Sequence, residues 1–233
     1  MAKRRKRSLS IRAMILTLKI LILLLIISVF QVISVSFINP PFTFSMLLGW
    51  VQEGSPLLSE SPRKNWRKLE DISPNLRRAV LAAEDQRFLL HHGFDFIEMN
   101  NAVKDIFRKG TMRGASTVSM QAARTVFLWP SRNLVRKALE AYYTLLLELF
   151  CKKERIFELY LNTVDWGTGI MGAEEASRRY FNRSAKWLTP SQAASLAAVL
   201  PSPHKWSPTK PDLYVLERKK RILKDINKMP LLS

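Results

Sequence analysis

The strongest constraint on this chain is a run near its N-terminus, Leu16 to Ile38, that is apolar almost throughout and broken only by Lys19, Gln31 and small hydroxyls. From Ile20 to Ile38 there is no charge, and as a helix that stretch spans about 28 Å, close to the hydrocarbon thickness of a bilayer. Lys19 lies near one end, where its stem can carry the ammonium to the headgroups. A cleaved signal peptide has a shorter apolar core followed by small residues. Here Val35, Phe37 and Ile38 continue the bulk, so the run reads as an uncleaved anchor. Lys3, Arg4, Arg5, Lys6, Arg7 and Arg12 precede it without an acid. Such a flank stays cytoplasmic, which places the body outside. The expected organisation is a basic tail (1–15), a transmembrane anchor (16–38), a juxtamembrane segment (39–71) and one globular domain (72–233).

Charge narrows the partners. The chain carries +18, of which the first 12 residues hold six, leaving a body of 31 basic and 19 acidic residues. A body this basic expects a polyanion: nucleic acid, anionic headgroups or a phosphorylated substrate. Facing outward, it meets no chromosome, which demotes nucleic acid, leaving a membrane-bound nucleic-acid binder the weakest option, and promotes lipid-linked or wall substrates. The one cysteine, Cys151, rules out an intramolecular disulfide and a cysteine-built zinc site. In its apolar surroundings it reads as a small buried hydrophobe. Three histidines without an H-E-x-x-H spacing argue against a protein-built metal cage.

Beyond Asn39-Pro40-Pro41, which end the span, Phe42, Phe44, Met46, Leu47, Leu48, Trp50 and Val51 suit a membrane interface or a platform on the domain. The body then reads as helix after helix. Ser73-Pro74 is an N-cap with proline at the first helical position. Asp95 with Glu98 is an acidic capping box opening a helix with Phe96, Ile97, Val103, Ile106 and Phe107 on one face, stopped at Gly110. Ser116 is expected to cap a helix to about Leu128. Leu134 to Phe150, apolar nearly all round, is expected to be the central buried helix. Thr189-Pro190-Ser191-Gln192 is a second capping box, closed by Pro201 and Pro203. The last helix, about Asp212 to Lys228, carries Arg218, Lys219, Lys220, Arg221 and Lys224 and reads as a solvated or membrane-facing surface.

Three stretches carry potential chemistry. Glu84 and Asp85 follow Val80-Leu81-Ala82-Ala83, with His91 and Gly93 beyond. Adjacent carboxylates are costly to bury unpartnered, and on this stretch alone a solvated helix end paired with Arg77, Arg78 or Arg87 is the simpler reading. In the second, Arg113 to Arg124, a glycine-containing loop leads with Ser116 and Thr117 into a helix N-terminus that favours an anion such as phosphate. Gln121 and Arg124 fall on one side of that helix; an ordinary capped helix is the alternative. In the third, Arg136-Lys137-x-x-Glu140 leads on to Glu148, a carboxylate in an apolar run for which a tie to an arginine is an adequate partner. Glu158 follows Lys152, Lys153 and Arg155. Two candidate acids, Glu84 and Glu158, thus have a basic belt between them.

Taken together, Asn39 to Pro203 resembles the family-51 peptidoglycan glycosyltransferases, in their monofunctional biosynthetic branch. The motif E-D-x-x-F-x-x-H-x-G is met by Glu84, Asp85, Phe88, His91 and Gly93. G-x-S-T-[IV]-x-Q-Q-x-x-K-N is met by Gly114, Ser116, Thr117, Val118 and Gln121, with Met120 for the first glutamine, Arg124 for lysine and Thr125 for asparagine. R-K-x-x-E and K-x-x-I-L-E-x-Y-L-N are met by Arg136, Lys137, Glu140, Lys152, Ile156, Glu158, Tyr160, Leu161 and Asn162, with Phe157 for leucine. Gly167, Gly172, Ala176, Tyr180 and Phe181 continue the match.

The resemblance implies a mainly α, lysozyme-like domain with a small membrane-facing lobe, on the outer side of the bacterial inner membrane, with no transpeptidase following. It implies polymerisation of lipid II with inversion and release of undecaprenyl diphosphate. On this reading Glu84 is the general base, Glu158 the second carboxylate and Asp85 a motif partner. Ser116, Thr117, Gln121, Arg124, Arg136, Lys137 and Lys152 bind substrate. No cofactor is built in; a divalent cation, Mg or Mn, accompanies the diphosphate. Partners are the lipid-linked glycan, membrane lipids and other cell-wall synthesis proteins. Two alternatives stand beside it: a lytic transglycosylase or muramidase, and an inactive anchored scaffold, for which Met120 and Thr125 are the main support.

Overall fold

The computed structural model describes residues 2–41, 43, 65–110, 114–131 and 133–232. Phe42, Phe44, Met46, Leu47, Leu48, Trp50, Val51 and Arg113 lie outside them. Helix α1 runs unbroken over Ala2–Phe37. Within it Met14–Phe37 is, among the described residues, the one helix long and apolar enough to cross a membrane.

The body is mainly helical: α2 (Pro74–Glu84), α3 (Phe96–Lys109), α4 (Val118–Phe127), α5 (Leu134–Phe150), α6 (Lys153–Thr163), α7 (Ala173–Phe181), α8 (Pro190–Val199) and α9 (Leu213–Asp225). A short antiparallel pair, β1 (Asp165–Gly167) and β2 (Ile170–Met171), joins α6 to α7. Two helices form the centre. On α6, Ile156, Phe157, Leu159, Tyr160 and Leu161 are fully buried, and on α8 so are Ala193, Ala194 and Leu196 to Val199. Alanines on α8 and on α4 (Ala122, Ala123) hold few side-chain atoms between axes, so α8 packs closely on α2 and α9, and α4 on α5 and α6.

Local punctuation follows the residues. Ser73 accepts from the Asn75 amide, and Asp95 from those of Ile97 and Glu98. Thr189 and Gln192 close a reciprocal box. Gly110 ends α3 in the left-handed region, at φ 62°. The cap of α4 is Thr117, not Ser116: its hydroxyl accepts from the Met120 amide. Cys151 is buried, and burial pushes its thiol up to about 11, as suits an inert hydrophobe.

Helix α5 is not the central buried helix that its composition suggests. It buries Glu140, Thr144 and Leu147, while Leu134, Val135, Leu145 and Leu149 are more than half exposed. An all-round apolar helix needs apolar surroundings, and a protein core is only one kind. Here α5 lies along the anchor, where the Ser28 and Tyr142 hydroxyls pair at 2.6 Å and Tyr143 donates to Gln31 at 3.1 Å. The apolar face of α3 is likewise open: Phe96, Ile97, Val103, Ile106 and Phe107 are all exposed.

One buried carboxylate ties the back of the domain together. Glu174 accepts from Arg67 (3.0 Å), Arg178 (2.7 Å), Ser184 (3.1 Å) and the Ala185 amide (2.8 Å). Burial alone raises its pKa; the Ala185 amide, the Arg67 charge and the Arg178 and Ser184 bonds outweigh that and hold it below the ordinary value. Its contribution is therefore present above the unfolded carboxylate pKa and is lost as pH falls through the lower folded one. Glu174→Gln is expected to cost about 2–4 kcal/mol and to flatten the acid side of the stability curve, measured by denaturant unfolding at several pH values.

Candidate active site

Helix α2 ends at Glu84 because Asp85 leaves the helical region (φ −160°, ψ 77°), and the two adjacent acids diverge. The Glu84 carboxylate takes a bond from Arg218 Nη2 at 2.8 Å on one oxygen and from Gln121 Nε2 at 3.0 Å on the other. Arg218 also donates to the Ala83 carbonyl. Tyr160, fully buried on α6, donates its hydroxyl to Gln121 Oε1 at 3.3 Å. Burial, with the nearby Glu84 charge, raises the Tyr160 pKa well above its ordinary value, so the phenol remains a donor. It fixes the Gln121 amide with its NH2 toward Glu84. Burial raises the Glu84 pKa, and Arg218, Gln121 and the Arg124 charge offset only part of that rise. A carboxylate lifted in this way accepts a proton more readily than an exposed one.

Asp85 turns the other way. Its carboxylate accepts from the Val118 amide at 2.9 Å and lies 3.0 and 3.1 Å from His91 Nε2. Thr117 donates to the Gly93 carbonyl at 2.6 Å. Gly93 sits at φ +90°, and a Cβ there meets Thr144 at 2.8 Å. The 85–95 loop is therefore clasped to the start of α4. The helix N-terminus that the sequence offers to phosphate already carries an internal anion, Asp85, on Val118 and the Thr117 hydroxyl on Met120. Ser116 is half-buried in the loop ahead of it.

Arg124, half-buried further along α4, acts on Glu84 through its charge and not through a hydrogen bond. On α5, Arg136 and Lys137 reach the buried Glu140 at 2.5 and 2.6 Å. One and two turns on, Thr144 and Glu148 continue that line beneath Gly93. Glu148 is partnered by Lys153 at 2.7 Å and by the Ser119 hydroxyl, so its tie is to a lysine and not to an arginine. Lys153, three residues before Ile156, fills the motif's lysine position assigned above to Lys152; its ammonium lies 4.4 Å from the Phe88 ring centre. Lys152 itself is exposed.

Glu158 is not brought to Glu84. Two residues apart on α6, Glu158 and Tyr160 project to different sides. Glu158 accepts from Trp66 Nε1 (3.1 Å), the Leu69 amide (3.0 Å) and Arg155 (2.5 Å). It lines a cavity of about 500 Å³ that it shares with Lys152, Arg155 and the anchor residues Ser36 and Phe37. Among the described residues no group of three His, Cys, Asp or Glu side chains is placed to hold a metal.

Sequence reasoning missed Arg218 and Tyr160. The signal for Arg218 is its phase: it lies three residues after Val215 and four before Ile222, both buried, so it belongs to the inward face of α9 and not to its basic surface. Of the motif departures, Met120 is buried, and Thr125 pairs its hydroxyl with that of Thr163 at 2.7 Å.

The transglycosylase family model matches residues 53–227. Three biosynthetic peptidoglycan transglycosylases are similar. That of Caulobacter vibrioides is 47% identical over 194 residues, covering 83% of this chain and 82% of the relative. That of Xanthomonas campestris pv. campestris is 45% identical over 192 residues, covering 82% and 78%. That of Bdellovibrio bacteriovorus is 50% identical over 160 residues, covering 69% and 64%.

The geometry makes Arg218 the nearest cation holding Glu84 down. Arg218→Met is expected to move the Glu84 titration further upward, followed by NMR on protein labelled with 13C at glutamate Cδ and assigned against Glu84→Gln. An unmoved midpoint would show that the guanidinium does not act on Glu84.

Proposed function

We propose, from the premise that this chain belongs to the transglycosylase family, that Glu84 is the general base of an inverting glycosyl transfer on lipid II. The chain is a peptidoglycan transglycosylase of cell-wall synthesis, and the family's lysozyme-like helical fold is the frame of the site. The observation that carries the assignment is Glu84 itself: a carboxylate raised by burial, oriented by Arg218 and Gln121, with the Arg124 charge beside it.

In the transfer, the 4-hydroxyl of the acceptor N-acetylglucosamine gives its proton to Glu84 as its oxygen attacks the anomeric carbon of the donor. The bond from that carbon to the diphosphate breaks, the electron pair leaves with undecaprenyl diphosphate, and a β-1,4 link forms. The departing diphosphate needs fixed positive charge. Arg124 supplies a planar fork suited to phosphate oxygens, and Arg136 and Lys137 add charge at the start of α5. Ser116 offers a hydroxyl at the loop. Asp85 and Thr117, bonded to α4 and to the 85–95 loop, act by aiming Glu84. The groups around Glu84 are cations and an amide, which do not form a metal cage, so a divalent ion such as Mg or Mn enters only as the counter-ion of the substrate.

The lipid-linked donor fits the membrane side of the molecule. Ser28 and Gln31 lie roughly 14 and 9 Å below the end of α1 at Phe37, within the depth that a span needs. Helix α5, bonded to both, therefore reaches into the outer leaflet, with the open apolar face of α3 as a second contact. On this reading the basic tail is cytoplasmic, the body faces the outer side of the inner membrane, and other cell-wall synthesis proteins are its partners.

The test is polymerisation of labelled lipid II by the full-length protein. The expected result is lysozyme-sensitive glycan, a loss of about 10²–10⁴-fold in Glu84→Gln, and a rate that rises with pH through a midpoint above the ordinary glutamate value, because the base works deprotonated. Cleavage of preformed glycan would point to a lytic enzyme and no turnover to a scaffold; product from both proteins would remove Glu84 as the base.

A further inference from the structure

Arg155 lies outside the Glu84 site, where the anchor meets the body. A helix that ends at Phe37 leaves its last carbonyls without partners inside the helix. Ile38 N returns to Ser34 O at 2.8 Å, and Arg155 takes the next groups. Its Nε donates to Val35 O at 2.8 Å, its Nη2 to Ile38 O at 3.0 Å, and its Nη1 to Asn39 Oδ1 at 2.8 Å. The remaining Nη1 hydrogen goes to Glu158 at 2.5 Å. Four of the five guanidinium donors are thus engaged, three of them on the exit of the anchor. The guanidinium lies 5.5 Å from the Trp66 ring centre, and the Trp66 indole N–H donates to the same Glu158 oxygen. A cation at a helix C-terminus is favoured by the helix dipole, and Glu158 supplies the charge that lets it remain there when its side chain is only 16% exposed.

Arg155 is also in the first turn of α6, the helix that carries Tyr160 to Gln121 and so to Glu84. One rigid element thus links the end of the anchor to the amide that orients the base. Resting on the function proposed above, we propose that Arg155, held by Glu158, is a positioning residue: it locks the exit of the anchor onto the body and sets the height and tilt at which the Glu84 site meets the bilayer. Glu158 then serves the reaction from the anchor side, through Arg155, and not beside Glu84. A lysine cannot replace the arginine, because an ammonium lacks the planar fork that reaches Val35, Ile38, Asn39 and Glu158 together.

The test uses full-length protein in lipid nanodiscs, in a Cys151→Ala background, with spin labels at the exposed positions Leu18 on α1 and Lys224 on α9. The expected result is one narrow distance distribution in the parent, a broad one in Arg155→Ala and in Arg155→Lys, and a partial broadening in Glu158→Gln. With lipid II in the bilayer, Arg155→Ala is expected to lose about tenfold in polymerisation, the scale of a misplaced site. With a short-chain substrate in detergent it should stay within about twofold of the parent, which a general loss of folding would not allow. If Arg155→Ala does not accumulate as folded protein, Asn39→Ala removes one anchor-side acceptor and should broaden the distances less. A distribution that stays narrow in Arg155→Ala, or an equal loss in bilayer and detergent, overturns the proposal. The distances do not depend on turnover, so a parent inactive on lipid II would count against the function proposed above and not against the lock.

Discussion

A carboxylate taken out of water must find partners, and this chain removes two neighbours at once. Glu84 and Asp85 are consecutive, yet they leave α2 in opposite directions, and the fold supplies a separate set of partners to each. Gln121 and Val118 come from the same helix, α4, so one element serves both acids. Arg218 comes from α9, more than a hundred residues away in sequence, which requires α9 to pack back on α2 and α8. The polar bonds alone do not drive that packing; the alanine-rich α8, buried between α2 and α9, does. The site therefore depends on the core, and the acids select which of the core's close packings is acceptable, because a shift of one turn would leave a buried charge unpaired.

The second organising constraint is the long apolar helix α1 beside the body. The open apolar faces of α3 and α5 would be costly in water. Beside an anchor, the same faces are at home. This is also why polar pairs occur along the anchor: a serine or glutamine at bilayer depth needs a partner, and Tyr142 and Tyr143 answer Ser28 and Gln31. The polar contacts between α1 and α5 give the two helices a fixed register that apolar packing in lipid would leave loose.

How far this was legible in the sequence depends on the range of the interaction. The anchor, and the starts and stops at Ser73, Asp95, Gly110 and Thr189, were readable because each rests on a few neighbouring residues. Composition misleads at α5, since all-round apolarity does not distinguish a core helix from one packed along α1 with an open face. Within the site, Glu84, Asp85 and Gln121 were legible from motif and spacing, and the structure joins them. Arg218 was hidden in a basic run whose net charge drew attention away from its helical phase. Glu158 and Glu84 are both acids in motifs, but acid identity does not fix side-chain direction, and α6 turns Glu158 toward Trp66, Leu69 and the end of α1. Lys152 and Lys153 are adjacent and chemically alike, and the three-residue spacing to Ile156 selects Lys153.

The departures at Met120, Arg124 and Thr125 are where a decayed site would be expected to show first. They do not read as decay. Thr125 is buried and makes a hydroxyl pair with Thr163, a satisfied polar contact and not an orphan. Met120 is buried, so the position has become part of the packing of α4. Arg124 keeps its charge and places it where it acts on Glu84. Meanwhile the costly features remain: a carboxylate largely withdrawn from water, a tyrosine buried to orient a glutamine, and a glycine at φ +90° against Thr144. A scaffold would have no need to hold Glu84 between Arg218 and a Gln121 that the buried Tyr160 orients. The retention of this arrangement, with its partners intact, argues for a site still used in chemistry.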